Sequence, residues 1–309
     1  MRDIYPIDFQ IQTTASDGRH TPAECVRMAK ANGVFVLAIT DHDTVAGIVE
    51  AAAAGNELGV RVIPGIEISI QEHGMHLLGL GIDPDDPALG AALERAAGNR
   101  LAAAREMVKK FQKDGWTVEW EDVLREGAGA AVVTRPLIVS AIMKRPENKA
   151  RLEGIATKHD FFQKFFQDTG PYYVRASTFS PAEAIQLVQG AGGVAVWSHP
   201  PIPDFVGDCG GLEAFLKELI THNLDGIELF GPFLTEADMA CLEALARRYR
   251  LIITAGSDFH EAYDPAGAGW PRSAAAIGEF PTFGRTLDAD AMIAALDARI
   301  AERRARQSS

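Results

Sequence analysis

The sequence predicts an α/β fold, a β/α barrel carrying an inserted helical subdomain, on three observations. Short β-rich runs repeatedly precede amphipathic helical stretches, the βαβ signature of a parallel sheet. Several runs are continuously apolar, as strands buried on both faces require. Polar residues of ligand type stand where most of the runs stop, and in β/α barrels the reactive groups gather at the C-terminal ends of strands.

The candidate strands are Ile4–Ile11, Val34–Thr40, Val60–Ile68, Met75–Gly81, Val194–Ser198, Gly226–Leu229 and Leu251–Ala255, and about seven suffice for a barrel. Thr21-Pro22-Ala23-Glu24 combines an N-cap, a proline at the first helical position and a capping-box glutamate, with Gly33 placed to end the helix. Ser180-Pro181-Ala182-Glu183 repeats the device, ending near Gly190. Between about residues 97 and 180 the strand rhythm fails and the text turns helical and charged, so residues 1–96 and 181–309 are assigned to the barrel and 97–180 to a substrate-side cap. There Trp116, Trp120, Phe161, Phe162, Phe165 and Phe166 are read as helical core. The tail from Arg299 to Ser309 reads as a final helix that frays.

A chain of 309 residues, 47% hydrophobic and 23% charged, matches globular averages, and no segment approaches the roughly 20 apolar residues that cross a bilayer. Its net charge of −12 opposes broad binding to duplex nucleic acid, which needs many Lys and Arg contacts to phosphates. A small phosphorylated substrate then needs a local cationic pocket. The first residues lack a basic region followed by an apolar one, and Cys25, Cys209 and Cys241 are widely spaced. A cytoplasmic protein with reduced thiols is the expectation.

His42, His76, His199 and His260 fall beside strand-type segments, with Asp17, Glu67 and Asp258 in similar settings. Mixed imidazole and carboxylate donors suit Zn, Mn or Fe.

Ser16-Asp17-Gly18, Thr40-Asp41-His42-Asp43, Gly65-Ile66-Glu67, His76-Leu77-Leu78-Gly79, Ser198-His199-Pro200 and Gly256-Ser257-Asp258-Phe259-His260 occur in that order. With these motifs the chain resembles the polymerase and histidinol phosphatase (PHP) family of metal-dependent phosphoesterases over essentially its whole length, and within it the branch acting on nucleotide bisphosphates and short RNA. The resemblance implies a distorted (β/α)7 barrel and two to three divalent ions (Mn, Zn or Fe). One ligand set would be Asp17, His42 and His260, another Glu67, His76 and His199. A third ion would use Asp258, a shared Glu67 and an H-x-H pair on the first strand. Asp258, His199 and Asp41 are the candidates for the chemistry itself, with Asp258 as ligand or proton acceptor and Asp41 as an orienter of His42. Asp43 is either a second orienter or the N-cap of a helix beginning at Thr44.

Two departures from the family pattern stand out. Gln10 and Gln12 replace the H-x-H pair, and a neutral amide oxygen is a weaker donor to a transition metal than an imidazole. The third site is expected to be empty or labile, with the amides either hydrogen-bonding in the barrel mouth or ligating weakly. Leu137 stands where many relatives carry His, whereas Arg135 and Arg100 match positions that hold substrate phosphate, as the guanidinium fork suits. The expected activity is hydrolysis of a phosphomonoester or phosphodiester of a nucleotide or short oligonucleotide by metal-activated water. The alternative is an impaired relative that binds metal or ligand without efficient turnover, because of Gln10 and Gln12.

Overall fold

The computed structural model describes residues 4–70, 74–127, 133–166, 170–176, 179–200, 205–232, 234–261 and 276–307. Seven strands, β1 (Ile7–Ile11), β2 (Val36–Ile39), β3 (Arg61–Ser69), β4 (His76–Leu80), β5 (Val194–Trp197), β6 (Gly226–Phe230) and β7 (Ile252–Ala255), form one sheet in sequence order. The sheet curls so that its two edges meet: Ile11 bridges Phe259, and the Gln12 amide donates to the Phe259 carbonyl at 2.9 Å. An α/β barrel of seven strands results, as expected.

The all-parallel expectation needs one correction. β4 runs antiparallel to both β3 and β5, whereas β1–β2, β2–β3, β5–β6 and β6–β7 are parallel. Only residues 70–75 separate β3 from β4, too few for the helical crossover that a parallel pair requires. The reversal carries His76, at the start of its strand, to the same barrel mouth as residues that end the parallel strands. Glu67 likewise lies within β3 opposite Leu78 rather than at the strand's end, because pairing with β4 prolongs the strand to Ser69.

The helices are α1 (Pro22–Asn32), α2 (Ile48–Leu58), α3 (Pro87–Lys113), α4 (Trp120–Glu126), α5 (Arg135–Met143), α6 (Lys158–Phe165), α7 (Pro181–Gly190), α8 (Cys209–Thr221), α9 (Glu236–Tyr249) and α10 (Ala289–Gln307). The capping boxes of α1 and α7 form as the sequence predicts, and Gly33 closes α1 at φ 83°. Among the described residues no helix is long and apolar enough to cross a membrane.

Among the described residues three separate apolar cores hold the structure, the smallest of them packing Ile11, Leu37, Ile39 and Phe259 against α1 and α2. The barrel core includes Phe9, Ile66, Leu77, Val196, Trp197 and Ile227. The second gathers Phe111, Trp116, Phe161, Phe166 and Tyr172 among α3, α5, α6 and their connections, with the rings of Phe111 and Tyr172 stacked at 3.9 Å. The 27-residue α3 belongs to both of these: Leu89, Ala92, Leu93 and Ala96 face the barrel core, and Met107, Val108 and Phe111 the second. The expected boundary at residue 97 thus falls inside one continuous helix.

Cys209 and Cys241 are joined in a disulfide, their Cα atoms 5.9 Å apart, which corrects the expectation of three reduced thiols. The cysteines sit on the neighbouring helices α8 and α9, a proximity that their sequence separation of 32 hides. Cys25 is free and buried, and burial pushes its thiol up.

At the barrel's other side Asp225 ties three elements together. One carboxylate oxygen accepts Arg299 and Arg303 of α10, and the other accepts the Ala195 amide of β5 and the Gln189 side chain of α7. Asp225→Ala removes the buried carboxylate from both guanidinium groups, leaving Arg299, among the described residues, only its pair with Glu302, so stability should fall by about 3 kcal/mol, read as a lower urea midpoint. An unchanged midpoint would remove Asp225 from the account of how α10 is held.

Candidate metal centre

The mouth of the barrel is assembled from β1 outward. Gln10 and Gln12 lie two apart on β1 and its extension, so both side chains point to one face, and both are fully buried. After Gln12 the chain folds tightly, the amides of Ser16 and Gly18 donating to the Thr13 carbonyl at 3.1 and 2.9 Å. A Cβ on Gly18 would sit 2.4 Å from the Gln12 carbonyl oxygen, so only glycine lets the turn close and present Asp17. Asp41 locks this turn from beneath: its carboxylate accepts the Thr13 amide at 2.7 Å, the Thr13 hydroxyl at 2.8 Å and the Ser16 hydroxyl at 2.6 Å.

Around this turn the imidazoles converge. Asp17, His42 and His260 form one group whose ligand atoms all lie within 4.8 Å of one another, and His42, Glu67 and His76 form a second, so His42 is common to both. His260 is held by its Nδ1 contact to the Asp258 carbonyl at 2.8 Å, with Nε2 3.6 Å from Asp17. Glu67 Oε1 lies 3.0 Å from His76 Nδ1 and 3.1 Å from His199 Nε2, and those two nitrogens are 3.0 Å apart. The four imidazole side chains keep between 13% and 27% of their surface exposed. The cluster therefore reaches solvent, while Glu67 has none.

The electrostatics follow from this crowding. Burial would raise the Glu67 carboxyl, but the surrounding imidazoles of His42, His76 and His199 hold it well below the usual range. Burial lowers His42, whose Nδ1 has no hydrogen-bond partner among the described residues. For His199 and His260 burial also works against charge, yet nearby carboxylates outweigh it and lift both to about 9: Glu67, Asp258 and Glu228 for His199, and Asp258, Asp17 and Glu67 for His260. Lone pairs packed this tightly around a dry carboxylate are a donor set suited to a divalent cation.

The backbone is strained at the same place. Asp43, His199 and Asp258 adopt left-handed φ of 51°, 32° and 50°, which costs about 1 kcal/mol or more each and clusters at functional sites. Asp43 is not a helix cap, since α2 begins only at Ile48. Its carboxylate instead accepts the Ser69 amide and pairs with Arg100.

Two buried carboxylates belong to the supports of this site. Asp8 accepts Gln10, Ser257 and Gly278 backbone amides and the Ser257 hydroxyl, stapling β1 to the strand end that carries Asp258. Burial raises it to about 6 despite those donors. Glu228 accepts the His199 amide at 2.8 Å, and burial pushes its carboxyl well above the usual value. Asp8 received no role from the sequence. Its signal was a charged residue inside a strand that is apolar apart from Gln10.

Residues 8–123 match the family model described as PHP domain. The chain is 33% identical to the phosphoribosyl 1,2-cyclic phosphate 1,2-diphosphodiesterase of Eggerthella lenta, over 82% of this chain and 93% of that protein. The protein belongs to the PHP family. It is 30% identical to the 3′,5′-nucleoside bisphosphate phosphatase of Chromobacterium violaceum, over 82% of this chain and 87% of that protein. A Bifidobacterium adolescentis structure assigned as a metal-dependent phosphoesterase superposes with a TM-score of 0.76 at 28% identity, covering 97% of this chain and 98% of that one.

Against the PHP pattern, the two glutamines form direct hydrogen bonds. Gln10 Nε2 donates to Ser198 Oγ at 2.9 Å, Asp258 Oδ1 at 3.1 Å and Glu67 Oε1 at 3.2 Å, and Gln12 Nε2 to Glu67 Oε2 at 2.5 Å. Leu137 is buried in the second core, so a side chain there packs the cap. Arg100 reaches the mouth through its pair with Asp43, and burial lowers it to about 10, still a cation at neutral pH. Arg135 lies 4.8 Å from the Phe162 ring and 4.9 Å from the Tyr173 ring, donating to the Phe166 carbonyl at 3.0 Å. The aromatic pair fixes the plane of its guanidinium.

Because Asp41 holds the turn that presents Asp17, Asp41→Ala should keep the fold and weaken metal binding about 10- to 100-fold, measured by calorimetric titration with Mn(II). Unchanged affinity would mean the turn needs no such lock.

Proposed function

We propose that this PHP protein is a metal-dependent phosphoesterase hydrolysing a phosphomonoester or phosphodiester of a nucleotide or short oligonucleotide. The observation that carries the reading is the pair of ligand groups meeting at His42, with the half-buried cation Arg100 paired to the neighbouring Asp43. Asp17, His42 and His260 would hold one ion, and Glu67 with His76 and His199, next to the shared His42, a second. The mixed nitrogen and oxygen donors suit Mn, Zn or Fe. The chemistry such ions would supply when bound is acidification of water at neutral pH and offsetting of charge on the transferring phosphoryl group.

The remaining work belongs to the chain's own side chains. Arg100 and Arg135 orient the phosphate, Arg135 with its plane already set by Phe162 and Tyr173. Asp258, whose Oδ1 accepts from the Gln10 amide at the mouth, would take up a proton during attack. Glu228 fixes the His199 backbone, and Asp41 the turn below Asp17; both are positioning residues. The reading of an impaired relative is not favoured, since the similar proteins are named as phosphatase and diphosphodiesterase. A nucleotide substrate is the ground for proposing a cytoplasmic enzyme.

The expected result is phosphate release from 3′,5′-nucleoside bisphosphates or short RNA with Mn(II), abolished by a chelator and restored by added metal. Arg135→Ala should raise KM about 10- to 100-fold with little change in kcat, the loss of one charge-assisted contact. No release from nucleotide bisphosphates, short RNA or generic phosphoesters under Mn, Zn or Fe would overturn the proposal.

A further inference from the structure

Three acceptors converge on a single nitrogen in the barrel mouth. Gln10 Nε2 is within 2.9–3.2 Å of Ser198 Oγ, Asp258 Oδ1 and Glu67 Oε1. The amide end facing them must be the NH2, because a carbonyl oxygen there would meet two carboxylates. The hydroxyl of Ser198 agrees with this orientation, since it donates its own proton to Glu67 Oε1 at 3.1 Å. Gln12 supplies a second NH2 to the other Glu67 oxygen. Both oxygens of a fully buried carboxylate are thereby engaged on the β1 side, while the imidazoles of His42, His76 and His199 engage them from the other.

A point ringed by two carboxylates and a hydroxyl is where a cation would otherwise be needed, because two like charges in a dry site repel unless something positive stands between them. An amide NH2 presents two positively polarised hydrogens and no lone pair. It can therefore bridge carboxylates but cannot accept a metal ion. We infer that Gln10 and Gln12 act as a built-in substitute for a cation, holding Glu67 and Asp258 together by hydrogen bonds and limiting the protein to the two ions of the Asp17–His42–His260 and Glu67–His76–His199 groups. The inference rests on the metal-centre reading above, and it makes the glutamines positioning residues. It also explains their full burial, which a pair of idle polar side chains would make costly.

The test counts metal and needs no turnover, so its outcome is independent of whether the phosphoesterase reading holds. Full-length protein is equilibrated with Mn(II), freed of excess metal by gel filtration and analysed for metal per chain. Wild type should retain two equivalents. Gln10→Glu is nearly isosteric but exchanges a bridging donor for a third carboxylate, and it should retain a third equivalent, as should the double variant Gln10→His with Gln12→His. Far-UV circular dichroism establishes that each variant is folded. Three equivalents in wild type, fewer than two, or folded variants that gain none would each overturn the inference, and the wild-type count decides even where a variant fails to fold.

Discussion

Glu67 is the constraint around which the metal centre is arranged. A carboxylate with no solvent exposure must be compensated from within the protein, and it is: amides reach it from β1, a hydroxyl from the end of β5, and imidazoles from beyond β2, from β4 and from beyond β5. Each of those groups is fixed in turn by an element of the barrel. The antiparallel β4 is part of the same solution, since only a reversed strand brings His76 to the mouth from so short a connection. Curling of the sheet to bring β1 beside β7 then places Asp258 next to the glutamines. Barrel closure and charge compensation are one arrangement.

Much of the site was legible because the side chains that ligate metals are rare inside strands. Histidines and acids beside apolar runs mark themselves, and their order matched a known family pattern. Strand reversal was not legible, because an apolar run of five residues carries no direction; the short link to β3 was the available signal. The left-handed conformations of Asp43, His199 and Asp258 also had no local signature, since none is glycine. Asp43 was read as a possible cap because a helix follows, but the chain spends four more residues before α2 begins. The Cys209–Cys241 pairing escaped because proximity across α8 and α9 depends on packing rather than spacing.

The second core explains how an acidic chain can offer cations to a phosphate. Arg100 lies on α3, whose first half is anchored in the barrel core and whose second half is anchored among the cap aromatics. Arg135 opens α5 in that cap, with aromatic rings setting its plane. In a chain of net charge −12, these two guanidinium groups supply local positive charge without making the molecule a general anion binder. Continuity of α3 through both cores couples the placement of Arg100 to the barrel itself.

The account's central claim is that Glu67 organises the metal centre, and Glu67→Gln tests it most directly, because the change removes the charge while keeping the shape. Metal content and phosphate release should be measured together on the folded variant. The account predicts loss of at least one retained metal equivalent and a fall in kcat on the order of 1,000-fold, since the ligand and the compensated charge disappear together. Full metal content with turnover close to wild type would contradict it.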